Sequence, residues 1–341
     1  MGHCRECEAS MMIEILETSI TNRQQYDISD LCKGISWFTS TEYQPGKLQF
    51  DFLDNPTVYL REGDEVEMRI DGQNVFKGKV FKRKRKQGVR GFWSITAYDK
   101  TRYLKNEDTL LFNANSVTER FKRICEVQGL PYKVLDKATY NCTAVVEDKH
   151  TYYSMLKDAI EETRKGSGQR FAFWDNFGTI EIFNLNRQIT NLVIGDESLM
   201  TDYEYELSID DAANSVKVLR EDKEKGKREI YVEKDSKNIE RWGKLQIVET
   251  ISDADLNTSQ LKQRNKELLK EHNKPNISTS VKALSNLEIR AGKLFTWRNS
   301  DLTRDTVNGV RIGDETLVLV TQCTHSFEDT AMMDLEIEVI A

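Results

Sequence analysis

Four short runs between Leu48 and Tyr98 alternate apolar and polar residues, and this pattern constrains the fold more than any other feature. They are Leu48-Gln49-Phe50-Asp51-Phe52, Val66-Glu67-Met68-Arg69-Ile70, Val75 to Phe81, and Phe92-Trp93-Ser94-Ile95-Thr96-Ala97-Tyr98. A period of two puts alternate side chains on opposite faces of a strand, whereas a helix would bring its apolar residues round every three or four positions. Asp71-Gly72 and Gln87-Gly88 supply turns between runs. Short strands at a spacing of about ten residues, joined by such turns, indicate an antiparallel barrel or sandwich. Ile13 and Ile15 begin a preceding strand, although Leu16 breaks its alternation. A first β domain is expected over 12–104, after a flexible leader over 1–11.

The period changes at Asn115. Asn115 or Ser116 caps a helix whose apolar positions are Val117, Phe121, Ile124 and Cys125, and Gly129 with Pro131 stops it. A second helix is expected from Thr151 to Arg164, broken by Gly166-Ser167-Gly168, followed by a hairpin of Arg170–Trp174 and Thr179–Phe183. This block, 105–196, reads as a small α+β domain. Strand patterns return over 197–341, with a densely charged stretch at 220–241 read as a solvated hairpin and a polar helix over 257–272 ended by Pro275. The fold class is therefore mainly β, with two β-barrel or sandwich domains flanking a small α+β domain.

Composition narrows the function. The chain has 341 residues, 31% of them charged, with 49 basic against 56 acidic and a net charge of −7. A dedicated nucleic-acid binder would be expected to be basic, and no apolar run reaches the ~18 residues of a membrane-spanning helix. Six cysteines without a secretion signal read as buried thiols rather than a disulfide framework. The phosphate-cradling, dinucleotide, zinc-protease and nucleophile-elbow motifs are all missing from the sequence. Glu161-Glu162 is the sort of acidic pair a glycosidase reading would seize on, but neighbours on a helix point about 100° apart and cannot face one sugar. His272, at a helix end, and His325, between two expected strands, read as structural.

Two constellations remain. His3-Cys4-x-x-Cys7 could supply three ligands to zinc or iron, although a closed structural site needs a fourth; the simpler reading is a leader with ordinary thiols. Lys77 to Arg90 carries eight cations and no acid, with Lys82, Arg83, Lys84, Arg85 and Lys86 consecutive. Such a hairpin could contact phosphate, face a lumen, dock on an acidic partner, or simply resist edge-to-edge aggregation. Phe81 and Phe92 would anchor its base.

Pro45-Gly46-Lys47-Leu48-x-Phe50, Glu62-Gly63-Asp64-x-Val66, Asp71-Gly72-x-x-Val75-Phe76-x-Gly78-x-Val80-Phe81 and, above all, Thr96-Ala97-Tyr98-Asp99-Lys100-Thr101-Arg102-Tyr103-Leu104-Lys105-Asn106 resemble the XkdQ family of phage-like contractile tails. Looser similarity continues through Phe177-Gly178-Thr179-Ile180 to Thr324-His325-Ser326-Phe327. The resemblance implies a central baseplate hub protein, related to late control proteins, with two tail-tube-like domains per chain. It also implies a homotrimer whose three-fold ring matches the six-fold tail tube above and the spike below. The implied partners are further copies of the chain, the tube protein, the central spike, the tape-measure protein and baseplate wedge proteins. No membrane is implied, and nucleic acid only in transit through a lumen. The location implied is a virion or tail-like particle assembled in bacterial cytoplasm. The resemblance implies no cofactor and no catalysis. A hub-associated peptidoglycan hydrolase or cell-wall-binding tail protein is the alternative.

Overall fold

A computed structural model describes residues 11–85, 91–222, 227–251, 258–307, 310–313 and 315–340. By contact density the chain divides into two compact units, one comprising residues up to Tyr203 together with Ser280 onward, the other Glu204–Thr279. The sequence boundaries at 104 and 197 group the residues differently.

The first unit opens with β1 (Ile13–Thr18), β2 (Gln25–Asp27), β3 (Cys32–Ser40), β4 (Lys47–Leu53), β5 (Glu65–Ile70), β6 (Gln73–Lys84) and β7 (Phe92–Tyr98), of which β2 and β3 carry no run that the sequence pattern marked. β4 alternates as the sequence requires: Leu48, Phe50 and Phe52 are buried, and Gln49 between them is exposed. Their inward residues join Ile15, Trp37, Met68, Phe76, Val80 and Ile95 in one apolar cluster.

The α+β part follows with β8 (Glu107–Phe112), β9 (Asn115–Ser116), α1 (Val117–Gln128), β10 (Tyr132–Val134), β11 (Asn141–Cys142), β12 (Val145–Thr151), α2 (Tyr152–Ser167), β13 (Phe171–Asn176) and β14 (Thr179–Asn184). Ser116 caps α1 in a reciprocal capping box with Glu119, and Gly129 closes it in the left-handed conformation. Thr151 caps α2. That helix runs on past the expected end at Arg164, because Gly166 lets it pass close to Tyr140. A Cβ there would lie 2.2 Å from the ring, and the left-handed residue is Gly168 instead.

The chain continues through β15 (Ile189–Gly195) and β16 (Met200–Ser208). In the second unit, β17 (Ser215–Asp222), β18 (Lys227–Lys234) and β19 (Gln246–Ile251) form a sheet in the order β18-β17-β19. The charged stretch read as a hairpin holds only part of one. Its last third is α3 (Ser236–Trp242), capped by Asp235, which carries the chain across so that β19 lies parallel to β17. The expected polar helix is α4 (Thr258–His272); its Leu261 and Leu268 pack on Val216 and Val218.

β20 (Asn276–Leu284), β21 (Leu294–Arg298), β22 (Thr306–Val307), β23 (Val310–Arg311), β24 (Thr316–Phe327) and β25 (Ala331–Val339) complete the chain. β24 is longer than the sequence pattern suggested, and His325 lies inside it rather than between strands. β24 pairs with β3, Trp37 opposite His325 and Phe38 opposite Thr324. Early and late strands thereby join one hydrogen-bonded sheet in the order β16-β20-β25-β24-β3-β4-β7-β6-β5-β1-β2, with β15 and β21 branching from it. The fold is mostly β.

Candidate functional site

The basic hairpin of β6 and β7 sorts its cations by residue type. Arg83 points to the strand face that carries Tyr59 and Trp93, its guanidinium 5.2 Å from one ring and 5.3 Å from the other. Arg85 covers Trp93 at 5.2 Å, and Arg61 covers Tyr59 at 5.2 Å. The result is a ladder of arginines alternating with aromatic rings, a packing that a flat, delocalised guanidinium suits well. Arg83 also binds Glu62 through Nε (2.9 Å) and Nη2 (3.1 Å), and the Leu60 carbonyl through Nη1 at 2.7 Å. These bonds hold the Glu62 carboxyl below its usual range. Lys77 is taken up by Glu65 and Glu67 at 2.9 and 2.8 Å.

Lys82 and Lys84 are exposed, as is Lys79, and none has an ion pair among the described residues. Lys86 and Arg90 lie outside the described residues, as do His3, Cys4 and Cys7. Phe81 packs edge-on against Tyr98 at 5.5 Å under the Arg102 guanidinium, and Phe92 lies under Lys33 at 3.7 Å. Among the described residues, no three His, Cys, Asp or Glu side chains are grouped to hold a metal. Burial pushes the Cys125 thiol up to about 12, and the Cys32, Cys142 and Cys323 thiols upward as well. The Glu161-Glu162 pair diverges: Glu161 binds Arg164, and Glu162 accepts the Thr143 N–H.

A second constellation, buried within the first unit, was not foreseen. Asp99 follows β7 and caps a 3-10 helix, Lys100–Lys105, accepting from the Thr101 N–H at 3.0 Å and from its hydroxyl. Asp175, at the β13–β14 turn, accepts the Gly178 N–H at 2.6 Å and the Lys100 N–H at 3.3 Å. Arg290, from the β20–β21 connection, lies between Trp37 and Trp174 at 5.4 and 4.7 Å and donates to the Asp175 carbonyl at 3.0 Å. Burial pushes both carboxyls up, Asp99 further because Asp175 also acts on it, while Arg290 pulls both down.

His325 stacks on Trp37 at 5.3 Å and Phe327 at 6.0 Å. Its Nε2 donates to the Ile289 carbonyl and its Nδ1 accepts from Ser285 Oγ, each at 2.8 Å, and burial lowers it to about 4. The imidazole is therefore neutral and structural. Asp99, Asp175, Arg290 and Tyr153 line a cavity of about 20 Å³, next to which the Tyr153 hydroxyl and Arg290 Nε have no partner among the described residues. That is room for one water and not for a substrate. The segment most recognisable in the sequence thus pins β7, the β13–β14 hairpin and the β20–β21 connection to one another.

Exposed apolar pairs mark surfaces available to partners. Leu111 of β8 and Val146 of β12 face each other across a two-stranded ribbon, 70% and 66% exposed. In the second unit, Ile230, Val232 and Val248 are exposed on the three-stranded sheet, alternating with the residues that face α4.

Comparison with known proteins agrees with this architecture. The protein of unknown function YqbQ of Bacillus subtilis strain 168 is 28% identical over 232 residues, covering 67% of this chain and 69% of that protein. The phage-like element PBSX protein XkdQ of the same organism is 28% identical over 213 residues, 62% of this chain and 64% of XkdQ. The 43 kDa tail protein of prophage MuSo2 from Shewanella oneidensis shares the fold with a TM-score of 0.65 at 12% identity, over 95% of this chain and 98% of that one. The pattern of the family described as YQBQ-like matches residues 35–338, and the chain belongs to that family.

Proposed function

We propose that the chain is a structural hub subunit of a phage tail or tail-like particle. In this reading three copies form a ring that adapts the six-fold tail tube to the three-fold spike, with tape-measure and wedge proteins as further partners. The observation that carries it is a fold shared over 95% of the chain with a prophage tail protein, joined to the sequence similarity with XkdQ. Exposed apolar pairs on ribbons and sheets suit a subunit that completes its surface on assembly. Lys79, Lys82 and Lys84 form the contact row of the basic hairpin, since its arginines are engaged in holding the hairpin stiff. Steering by such a row acts mainly on the rate and register of docking.

Imaging of the assembled particle tests the role. Density for this chain on the tail axis, three copies between tube and spike, is the expected result. A peripheral location, or a chain that stays monomeric when mixed with tube and spike proteins, overturns it. Lysis of peptidoglycan by the purified chain would favour the hydrolase alternative.

A further inference from the structure

Glu17 occupies a position that an apolar residue should hold. It lies in β1 on the buried side shared with Ile15, opposite Tyr26 of β2 and Val66 of β5. The residue is 1% exposed, and neither carboxylate oxygen has a hydrogen-bond partner among the described residues. A second carboxyl, Asp64, is fully buried nearby, its oxygens accepting the Ile20 N–H at 2.8 Å and the Arg61 N–H at 2.6 Å.

Of the charged groups on the surrounding elements, Glu14 lies on the other face of β1, Lys79 of β6 is exposed, Arg69 of β5 binds Glu67, and the rest are engaged elsewhere. Glu65 and Glu67 of β5 are bound by Lys77 of β6. Asp27 of β2 is held by Ser29, Glu62 by Arg83, and Arg61 lies over Tyr59. An ionised Glu17 would therefore be a buried charge without donor or counter-ion, beside a like charge, and such a group takes a proton instead.

We propose that Glu17 is a proton-operated latch on the β1–β2 hairpin, closed when its carboxyl is neutral and loosened when it ionises. Burial, and then the Asp64 charge, push this carboxyl up to about 7, so the latch works near neutrality. Its mechanical consequence follows from topology. β1 and β2 end the large sheet, and β1 covers β5 from Ile70 to Glu65. Loosening the hairpin frees that edge of β5 as a row of unpaired backbone groups able to pair with another strand.

The sign of the effect follows from proton uptake. The closed hairpin holds a proton that the open one, with an ordinary carboxyl, releases. Closure is therefore favoured at acid pH and lost as pH rises to about 7, by up to about tenfold in the opening constant per pH unit. Hydrogen exchange at the Ile15–Thr18 amides, corrected for intrinsic rates, measures this opening. The expected result is a rise of at least about tenfold between pH 5 and pH 7 in the natural chain, and a flat response in Glu17→Gln. Carboxyl-selective NMR of the natural chain gives the second reading, with Glu17 titrating near neutrality. Titration of Glu17 in the ordinary carboxylate range, or the same pH response in Glu17→Gln, would overturn the latch. Neither result depends on where the chain sits in a particle.

Discussion

Replacing Arg290 by Met tests the buried junction most severely. The substitution keeps length and apolar volume while deleting the cation between Trp37 and Trp174. Three contributions are lost: two cation–ring contacts of about 1 kcal/mol each, a charged hydrogen bond to the Asp175 carbonyl of about 1.5–3 kcal/mol, and the counter-charge for Asp175. New apolar packing by Met offsets part of this, leaving a net loss of about 3–5 kcal/mol, the usual cost of stranding one member of a buried pair. The loss must depend on pH. Arg290 lowers the affinity of Asp99 and Asp175 for protons, so in the variant both carboxyls titrate higher still. A raised carboxyl stabilises below its unfolded value and loses that contribution as pH rises through its folded one. The variant should therefore fall behind the natural chain by about 1.4 kcal/mol per pH unit for each additional proton held, from about pH 6 upward. Urea unfolding at about pH 5.5 and about pH 8 measures it, read on tryptophan fluorescence because Trp37 and Trp174 flank the site. A penalty below about 1 kcal/mol at the higher pH, or one equal at both, would refute the ionic account of this junction.

The remaining predictions address separate parts of the chain. Gly166→Ala should cost about 1–3 kcal/mol in thermal unfolding, because the new methyl would meet the Tyr140 ring. Ser116→Ala should lose about 1 kcal/mol through the capping box of α1, measurable in the same way. Lys82→Glu with Lys84→Glu should leave the melting temperature unchanged and slow particle assembly in a salt-dependent manner, whereas Arg83→Ala should lower the melting temperature itself by dismantling the Tyr59–Trp93 ladder. Elemental analysis of the purified chain tests the N-terminal cysteines: zinc or iron near one equivalent that is lost in Cys4→Ser with Cys7→Ser supports His3, Cys4 and Cys7 as ligands, and a trace below about a tenth leaves Cys4 and Cys7 ordinary thiols.

What could be read from the sequence was whatever is decided locally. The alternation in β4 to β7, a cap at Asn115 or Ser116, a second helix starting near Thr151 and the Gly129 stop all depend on residues within a few positions of one another, and the structure settles the first cap on Ser116. The α3 helix escaped because its seven residues lie in a charged run. Even so, Asp235 before it and Gly243 after it were a usable pair of boundary signals. The division of the basic run into stacked Arg83 and Arg85 and exposed Lys79, Lys82 and Lys84 could not be read, since it depends on Tyr59 reaching the hairpin from the β4–β5 connection. Asp99, Asp175 and Arg290 come from three distant segments, so no local spacing could have joined them. Glu17 left no such signal: the alternation that begins at Ile13 and Ile15 breaks at Leu16, and the carboxyl in the next inward position reads as one more polar residue.

The pairing of β3 with β24 sets a timetable for synthesis. Thr41 bonds to Thr321 across 280 residues of chain, so the inner strands of the great sheet stand unfinished until β24 has left the ribosome. Contacts of such long range close late. A chain cut short before β24 leaves β3 with an open flank and an incomplete junction around Arg290. In the ring proposed above, that dependence would act as a check on each subunit, because only a polypeptide carried through β24 completes the sheet around β3.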